Sequence, residues 1–189
     1  IKEAAIAAIN ANFSKYTAVG GTLELKDAIL KRHATDFGSA YKREEVCASV
    51  GGKHALFNTI SVLVDHGDEV ILPVPYWVSF KDMVNYVGGR CVLVHADESQ
   101  GFRVTADMVS RLITSKTKLI IMNSPSNPSG AVMSPEDMTE VIRLAHERGI
   151  WVISDECYVY LNYTGKNFSV GSLTEYRDRF LVVGSLSKT

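Results

Sequence analysis

Three residues that could take part in acid–base or covalent chemistry each stand shortly after an apolar run. Asn127, Asp155 and Lys188 supply an amide, a carboxylate and an amine. In open α/β sheets, ligands bind just outside the carboxyl ends of the strands. If the apolar runs are parallel strands, these side chains converge on one edge of the sheet. The spacing therefore predicts a ligand site built from distant parts of the chain.

Asp155 and Lys188 indicate complementary kinds of chemistry. A carboxylate at the end of a buried strand is costly unless a cation faces it, and a protonated ring nitrogen is such a cation. Lysine, with a reference pKa of ~10.4, becomes a nucleophile when that pKa is depressed or when it is already held as an imine. Taken alone, the aspartate could instead cap the next turn, and the lysine could be an ordinary solvated side chain.

Two glycines precede a helix-like segment and could hold an anion. Gly51, Gly52 and Lys53 follow the apolar run at 46–50. Glycine lets the backbone approach an anion closely, and the first N–H groups of a helix are unpaired and lie at the positive end of its dipole. The segment is either a phosphate seat or a tight connection between a strand and a helix.

Apolar, β-rich runs alternate with helix-like segments along the chain, which predicts a mostly parallel α/β sheet covered by helices. The clearest helix begins after Ser134, with Pro135 in its first turn, and ends near Gly149. Other helices are predicted at 53–65, at 77–87, and after caps at Thr22 and Thr105, the last running through Ile113. The predicted strands are Val46–Val50, Glu69–Leu72, Cys91–His95, Lys118–Met122, Ile150–Ser154 and Phe180–Val183.

The composition narrows the class of protein. With 189 residues, of which 46% are hydrophobic and 22% charged, the chain fits one globular domain. Its formal net charge of −1 does not favour nucleic acid or acidic membranes as partners. Cys47, Cys91 and Cys157 lie far apart and suggest neither a disulfide framework nor a metal site. This cysteine pattern fits a reducing cytoplasm. No apolar run approaches the ~20 residues of a membrane span, so we expect a soluble protein.

Several segments together resemble one enzyme family. The segments 123–130 (NSPSNPSG), 154–158 (SDECY) and 185–188 (SLSK) are similar, in order and spacing, to the class I/II aminotransferases, fold-type-I enzymes that use pyridoxal 5'-phosphate (PLP). Within that family the resemblance is greatest to the bacterial aspartate aminotransferases. The segments that carry this narrower likeness are 16–21 (YTAVGG), 51–57 (GGKHALF) and 75–79 (PYWVS).

The resemblance implies a fold. We expect a three-layer α/β/α large domain with a mostly parallel sheet, of which residues 1–189 form the PLP-binding part. Family members continue well past the position of Lys188, so the chain is expected to be a fragment that lacks the last strand of the sheet and the small C-terminal domain. Because the absent part would supply arginines for the phosphate and the substrate carboxylate, the fragment alone is expected to be inactive.

The resemblance also implies roles for residues. Lys188 matches the lysine that carries PLP as a Schiff base and moves a substrate proton. Asp155 matches the acid that keeps the ring nitrogen of PLP protonated. Tyr158 and Asn127 match groups that bond the phenolic oxygen, and Trp77 an aromatic ring stacked on the cofactor. The remaining expected cofactor contacts are Gly51, Gly52, Lys53 and Ser185, with Tyr16 reaching across a homodimer.

The implied activity is transfer of an amino group from an amino acid to a 2-oxo acid. Lys53, with Trp77 and Asn127, is expected to bind substrate, and its charge favours aspartate or glutamate. Prephenate aminotransferases, β-lyases and non-catalytic PLP-binding regulators share the same segments and stay open as alternatives. A nucleotide-binding fold is disfavoured because the sequence has neither GxGxxG nor GxxxxGK[ST].

Overall fold

Five parallel strands form one sheet in the computed structural model, which describes residues 1–163 and 165–188. The spatial order is β2-β1-β3-β4-β5, so the chain starts near the middle of the sheet and builds outward in both directions. Every pairing between neighbouring strands is parallel, as the sequence predicts. The strands are β1 (Glu69–Val74), β2 (Arg90–His95), β3 (Thr117–Asn123), β4 (Trp151–Asp155) and β5 (Phe180–Val183).

Six α-helices in the described part of the chain accompany the sheet, and the best-marked one follows its sequence signals closely. The Ser134 hydroxyl accepts a hydrogen bond from Asp137 N at 3.0 Å, and Pro135 occupies the first turn. The predicted helix after Thr105 is shorter than expected. It ends at Ser110, and the chain continues to Ile113 in turns bonded to the third preceding residue. The helices are α1 (Lys2–Asn10), α2 (Leu23–Phe37), α3 (Gly52–Leu63), α4 (Ser79–Tyr86), α5 (Ala106–Ser110) and α6 (Pro135–Glu147).

Two apolar clusters cover the two faces of the sheet. Because side chains alternate along a strand, Ile120 packs with α5 and α6, whereas Leu119 and Ile121 pack with α3 and α4. Both clusters are composed mainly of fully buried aliphatic residues. The three-layer α/β/α arrangement predicted from the sequence is therefore confirmed.

One predicted strand is wrong. The run at 46–50 is not a strand, although it is rich in residues that favour strands. Its one backbone bond to another segment joins Ala48 N to Gly20 O, and Val50 is 89% exposed. A strand needs a neighbour along its length, and the described residues supply none here.

No helix within residues 1–163 and 165–188 has the length and apolar character needed to cross a membrane. The same residues contain no group of three or more histidine, cysteine or acidic side chains that could hold a metal ion.

Candidate functional site

The carboxyl ends of three neighbouring strands meet at one rim of the sheet. In the strand register, Asn123 at the end of β3 stands opposite Asp155 at the end of β4, and Asp155 stands opposite Val183 of β5. The segments that follow these strands carry Asn127, Tyr158 and Lys188. The parallel sheet thus places side chains from distant parts of the chain at one edge.

Asp155 is the buried acid of this rim. Its residue is only 4% exposed, and its Oδ1 accepts a hydrogen bond from Cys157 N at 3.2 Å. Among the described residues it has no ion-pair partner. Burial raises the pKa of this carboxyl, because the charged form loses its hydration. The site therefore lacks, and would be stabilised by, a cation next to Asp155.

Asn127, in the loop after β3, and Tyr158, in the segment after β4, contact each other. Asn127 Nδ2 donates to the Tyr158 hydroxyl at 3.5 Å, a long hydrogen bond. Both residues are half-buried. The two side chains therefore offer an amide and a phenol to the same region of the rim.

Lys188 lies in the segment that follows β5. Its side chain is exposed, and Nζ lies 6.0 Å from the centroid of the Tyr158 ring. Cys157 connects it to Asp155: burial and the negative charge of Asp155 raise the pKa of the Cys157 thiol to about 12, while the positive charge of Lys188 opposes the rise.

The start of α3 packs against the loop after β5. Gly51 caps the helix with a φ of 86°, a left-handed conformation that favours glycine. A Cβ at position 52 would lie 3.3 Å from Ser185 Cβ and 3.7 Å from Gly184 O. The Ser185 hydroxyl in turn accepts a hydrogen bond from Ser187 N at 3.1 Å. Glycine at 52 therefore brings the helix N-terminus and a serine hydroxyl close together, in a cradle that a larger residue would crowd.

Lys53 and Trp77 form a pair at the same end of α3. Lys53 Nζ lies 5.1 Å from the centroid of the Trp77 ring, within the range of a cation–π contact. The Trp77 ring packs edge-on against Phe80, with centroids 5.4 Å apart. The indole is thus fixed from one side by the core, and the lysine charge is held above it.

Tyr16 differs from the other predicted site residues. It lies between α1 and α2 and is fully exposed. The chain itself does not bring it to the rim, which agrees with the prediction that it acts on another subunit but does not test it.

Glu156 is a buried residue for which the sequence predicted no role. It is 2% exposed, and its Oε1 accepts hydrogen bonds from Ser154 Oγ at 2.9 Å and Val170 N at 3.0 Å. Its Oε2 has no hydrogen-bond partner among the described residues. Burial raises the pKa of this carboxyl to about 7. Its position directly after Asp155, in a segment already singled out for chemistry, was the only available signal.

The model of one family, aminotransferase class I and II, matches residues 1–189. The chain belongs to this family. Aminotransferases of class I and II generally depend on PLP, and they act on amino acids and 2-oxo acids. The resemblance inferred from the sequence motifs is thereby confirmed.

Several similar proteins are bacterial aspartate aminotransferases, and an aspartate/prephenate aminotransferase of Thermus thermophilus is 41% identical over 90% of this chain and 44% of the relative. The chain is 38% identical to the enzyme of Bacillus sp. strain YM-2 and 40% identical to that of Geobacillus stearothermophilus, in each case over the whole chain and 49% of the relative. The solved aspartate aminotransferase of Thermus thermophilus with maleate superposes with a TM-score of 0.95 at 39% identity, over 99% of this chain and 48% of that one. The chain spans about half the length of the relatives it matches.

Proposed function

We propose that residues 1–189 are the PLP-binding part of a longer aminotransferase, called the full-length protein below, whose small domain lies outside this chain. It would transfer an amino group from aspartate or glutamate to a 2-oxo acid. One observation carries the proposal: Asp155 is a buried carboxylate with no ion pair within residues 1–163 and 165–188, on a rim that also presents Asn127, Tyr158 and Lys188. Sequence identity to bacterial aspartate aminotransferases supports the choice of reaction.

The rim fits PLP because its two ends differ in charge. At one end, Asp155 would face the protonated ring nitrogen, which supplies the cation that this buried carboxylate lacks. At the other end, Gly51 and Gly52 offer backbone N–H groups at a helix N-terminus, and Ser185 offers a hydroxyl, as a phosphate requires. A ligand with a cationic ring and an anionic tail matches this arrangement.

Between the two ends, three side chains would hold the ring. Asn127 and Tyr158 would donate hydrogen bonds to its phenolic oxygen, and Trp77 would pack on its face. When bound, PLP supplies an electron sink for the charge that develops at the substrate α-carbon. Asp155 would stabilise that charge through the ring nitrogen, as a preorganised group.

Lys188 would hold the cofactor covalently through Nζ and would move the proton at the substrate α-carbon. General acid–base catalysis of this kind contributes about 10²- to 10⁴-fold. Its exposed position at the rim, with Nζ 6.0 Å from the centroid of the Tyr158 ring, is compatible with both roles.

Lys53 would recognise the acidic side chain of the substrate, with Trp77 and Asn127 lining the same space. The ammonium group lies 5.1 Å from the centroid of the Trp77 ring and is exposed to solvent. A carboxylate of aspartate or glutamate would complete an ion pair there.

The working enzyme would be a cytoplasmic homodimer. Helix α1 has no buried residue, and Ile6, Ile9, Phe13 and Tyr16 around it are exposed. An apolar surface of this kind needs a cover. In a dimer, Tyr16 would reach the phosphate bound by the partner subunit.

The direct test is to locate the cofactor on the chain. The full-length protein would be purified with PLP, its visible absorbance recorded, the attachment fixed with borohydride, and the modified peptide mapped by mass spectrometry. We expect the label on Lys188. A Lys188→Ala variant should lose the visible band, and a Lys118→Ala variant, changed at an exposed lysine of β3, should keep it. Attachment to any other lysine would refute the assignment.

A second measurement separates transamination from other PLP reactions. The full-length protein would be incubated with aspartate and a 2-oxo acid, and the products identified. We expect a new amino acid in amounts equal to the aspartate consumed, without free ammonia. Release of ammonia would instead indicate a lyase. Bound PLP without any turnover would indicate a regulator. The isolated 189-residue chain is expected not to turn over.

A further inference from the structure

Asn123 connects residues of the rim without belonging to the set predicted from the sequence. Its Nδ2 donates to the backbone oxygen of Asp155 at 3.1 Å, and its Oδ1 accepts from Asn127 N at 2.8 Å. Both ends of one amide are therefore used, and each end bonds a different segment of the rim. The two partners also fix the orientation of the amide, since a flipped group would place its donor against the N–H of Asn127.

The backbone at Asn127 has few other ways to be fixed. Pro125 and Pro128 stand on either side of this residue and have no backbone N–H to donate. Ser126 N to Ala131 O and Gly130 N to Ser126 O close the loop on itself. The base of the loop is held at Ser124, whose N donates to Asp155 O at 3.3 Å and whose Oγ accepts from Met133 N at 3.0 Å. The bond from Asn127 N to Asn123 Oδ1 is the one that ties Asn127 to the end of β3.

The position of Asn127 affects the site, because its side chain donates a hydrogen bond to the hydroxyl of Tyr158 at 3.5 Å. Asn123, standing opposite Asp155 in the sheet register, thus fixes the distance between the acid and the amide of the rim. A displacement of about 1 Å at such a group can cost about 100-fold in rate.

We propose that Asn123 is a positioning residue of the aminotransferase site: it sets Asn127 relative to Asp155 through the two ends of its side-chain amide. The inference rests on the proposed function, since Asn127 matters only if it contacts the cofactor. Asn123 itself touches neither cofactor nor substrate in this proposal, and its effect passes through Asn127.

A double-mutant cycle tests whether Asn123 acts through Asn127. The full-length variants are Asn123→Ala, Asn127→Ala and the pair, with Asn85→Ala, an exposed position in α4, as control. The readouts are kcat, KM for aspartate, and the pH midpoint of the visible absorbance of bound PLP. We expect Asn123→Ala to lower kcat about 10-fold, with KM changed less than about 3-fold, and to move the midpoint by about half a unit or more.

The decisive comparison is between backgrounds. In the Asn127→Ala protein, adding Asn123→Ala should change kcat less than about 2-fold, because the residue it positions is already gone. An equal loss in both backgrounds, or no loss in either, would overturn the inference, since a merely structural asparagine acts independently of Asn127. The control variant should match wild type in all three readouts.

Folding and the proposed function are checked separately. Asn123 also lines a cavity of about 40 Å³ between the ends of β1 and β3, so truncation to alanine enlarges an existing void. If Asn123→Ala does not accumulate, Asn123→Ser replaces it in the same cycle. A wild-type protein without PLP on Lys188 would refute the proposed function and this inference together. Wild type with PLP on Lys188 and an additive cycle would refute the inference alone.

Discussion

The two sides of the rim differ in how deeply their side chains are buried and in how many hydrogen bonds hold them. On the side of β3 and β4, Asn127 and Tyr158 are half-buried and Asp155 is almost fully buried, and hydrogen bonds join neighbouring segments. On the side of α3 and β5, Lys53 and Lys188 are exposed. One side carries a buried negative charge and the other carries exposed positive charges and a helix N-terminus.

This difference indicates what kind of ligand the rim selects. The buried side is fixed and desolvated, so it accepts only a cation of matching position, and a mismatch there is costly. The exposed side attracts anions through charges that water and salt weaken. A ligand that is cationic at one end and anionic at the other satisfies both, which PLP does.

The largest effect should come from removing the charge on the buried side. We expect Asp155→Asn in the full-length protein to lower kcat about 10²- to 10³-fold, because a neutral amide cannot hold a protonated ring nitrogen. The steady-state rate with aspartate measures this, and Asp82→Asn, at an exposed position of α4, is the matched control. Raising the salt concentration should leave the loss unchanged, since a buried charge is little screened. A loss below about 10-fold would show that the buried side is not the electrostatic centre of the site.

The next effect is on the free energy of unfolding, and it comes from Glu156, the residue after Asp155. Its folded-state pKa is raised by burial to about 7 from a usual value of 4.5. As pH rises past 4.5, the unfolded chain releases this proton while the folded protein keeps it, so stability falls until the folded form also ionises near pH 7. The loss amounts to about 3 kcal/mol in the free energy of unfolding.

Glu156→Gln should remove this part of the pH dependence. Glutamine keeps an oxygen that accepts from Ser154 Oγ and Val170 N but has no proton to lose. Relative to wild type, the variant should therefore gain about 3 kcal/mol between about pH 4.5 and about pH 8, measured by denaturant unfolding at each pH. Glu175→Gln, at an exposed acid, should follow wild type. Parallel curves for wild type and Glu156→Gln would mean that Glu156 is ionised in the folded protein.

The same contrast between buried and exposed parts explains how much the sequence could predict. Five strands were predicted within a few residues, since continuous apolar runs are characteristic of strands buried on both faces. The run at 46–50 has a similar composition, but no described strand lies beside it. Strand pairing depends on a second segment, so it cannot be predicted from the composition of one run. Asp155 and Lys188 stand out by type and position, whereas the anchoring by Asn123 depends on a loop folding back, which no local pattern encodes.

The smallest effect should come from the exposed side, at Lys53. We expect Lys53→Ala in the full-length protein to lower the preference for aspartate over alanine, measured as the ratio of kcat/KM values, by about 5-fold, because one ion pair near the surface is worth roughly 1 kcal/mol. Lys118→Ala is the control. The loss should shrink as salt is raised, in contrast to the loss at Asp155, because Lys53 is exposed and its charge is screened. If the preference for aspartate survives the substitution, Lys53 does not select the substrate, and the choice depends on other residues.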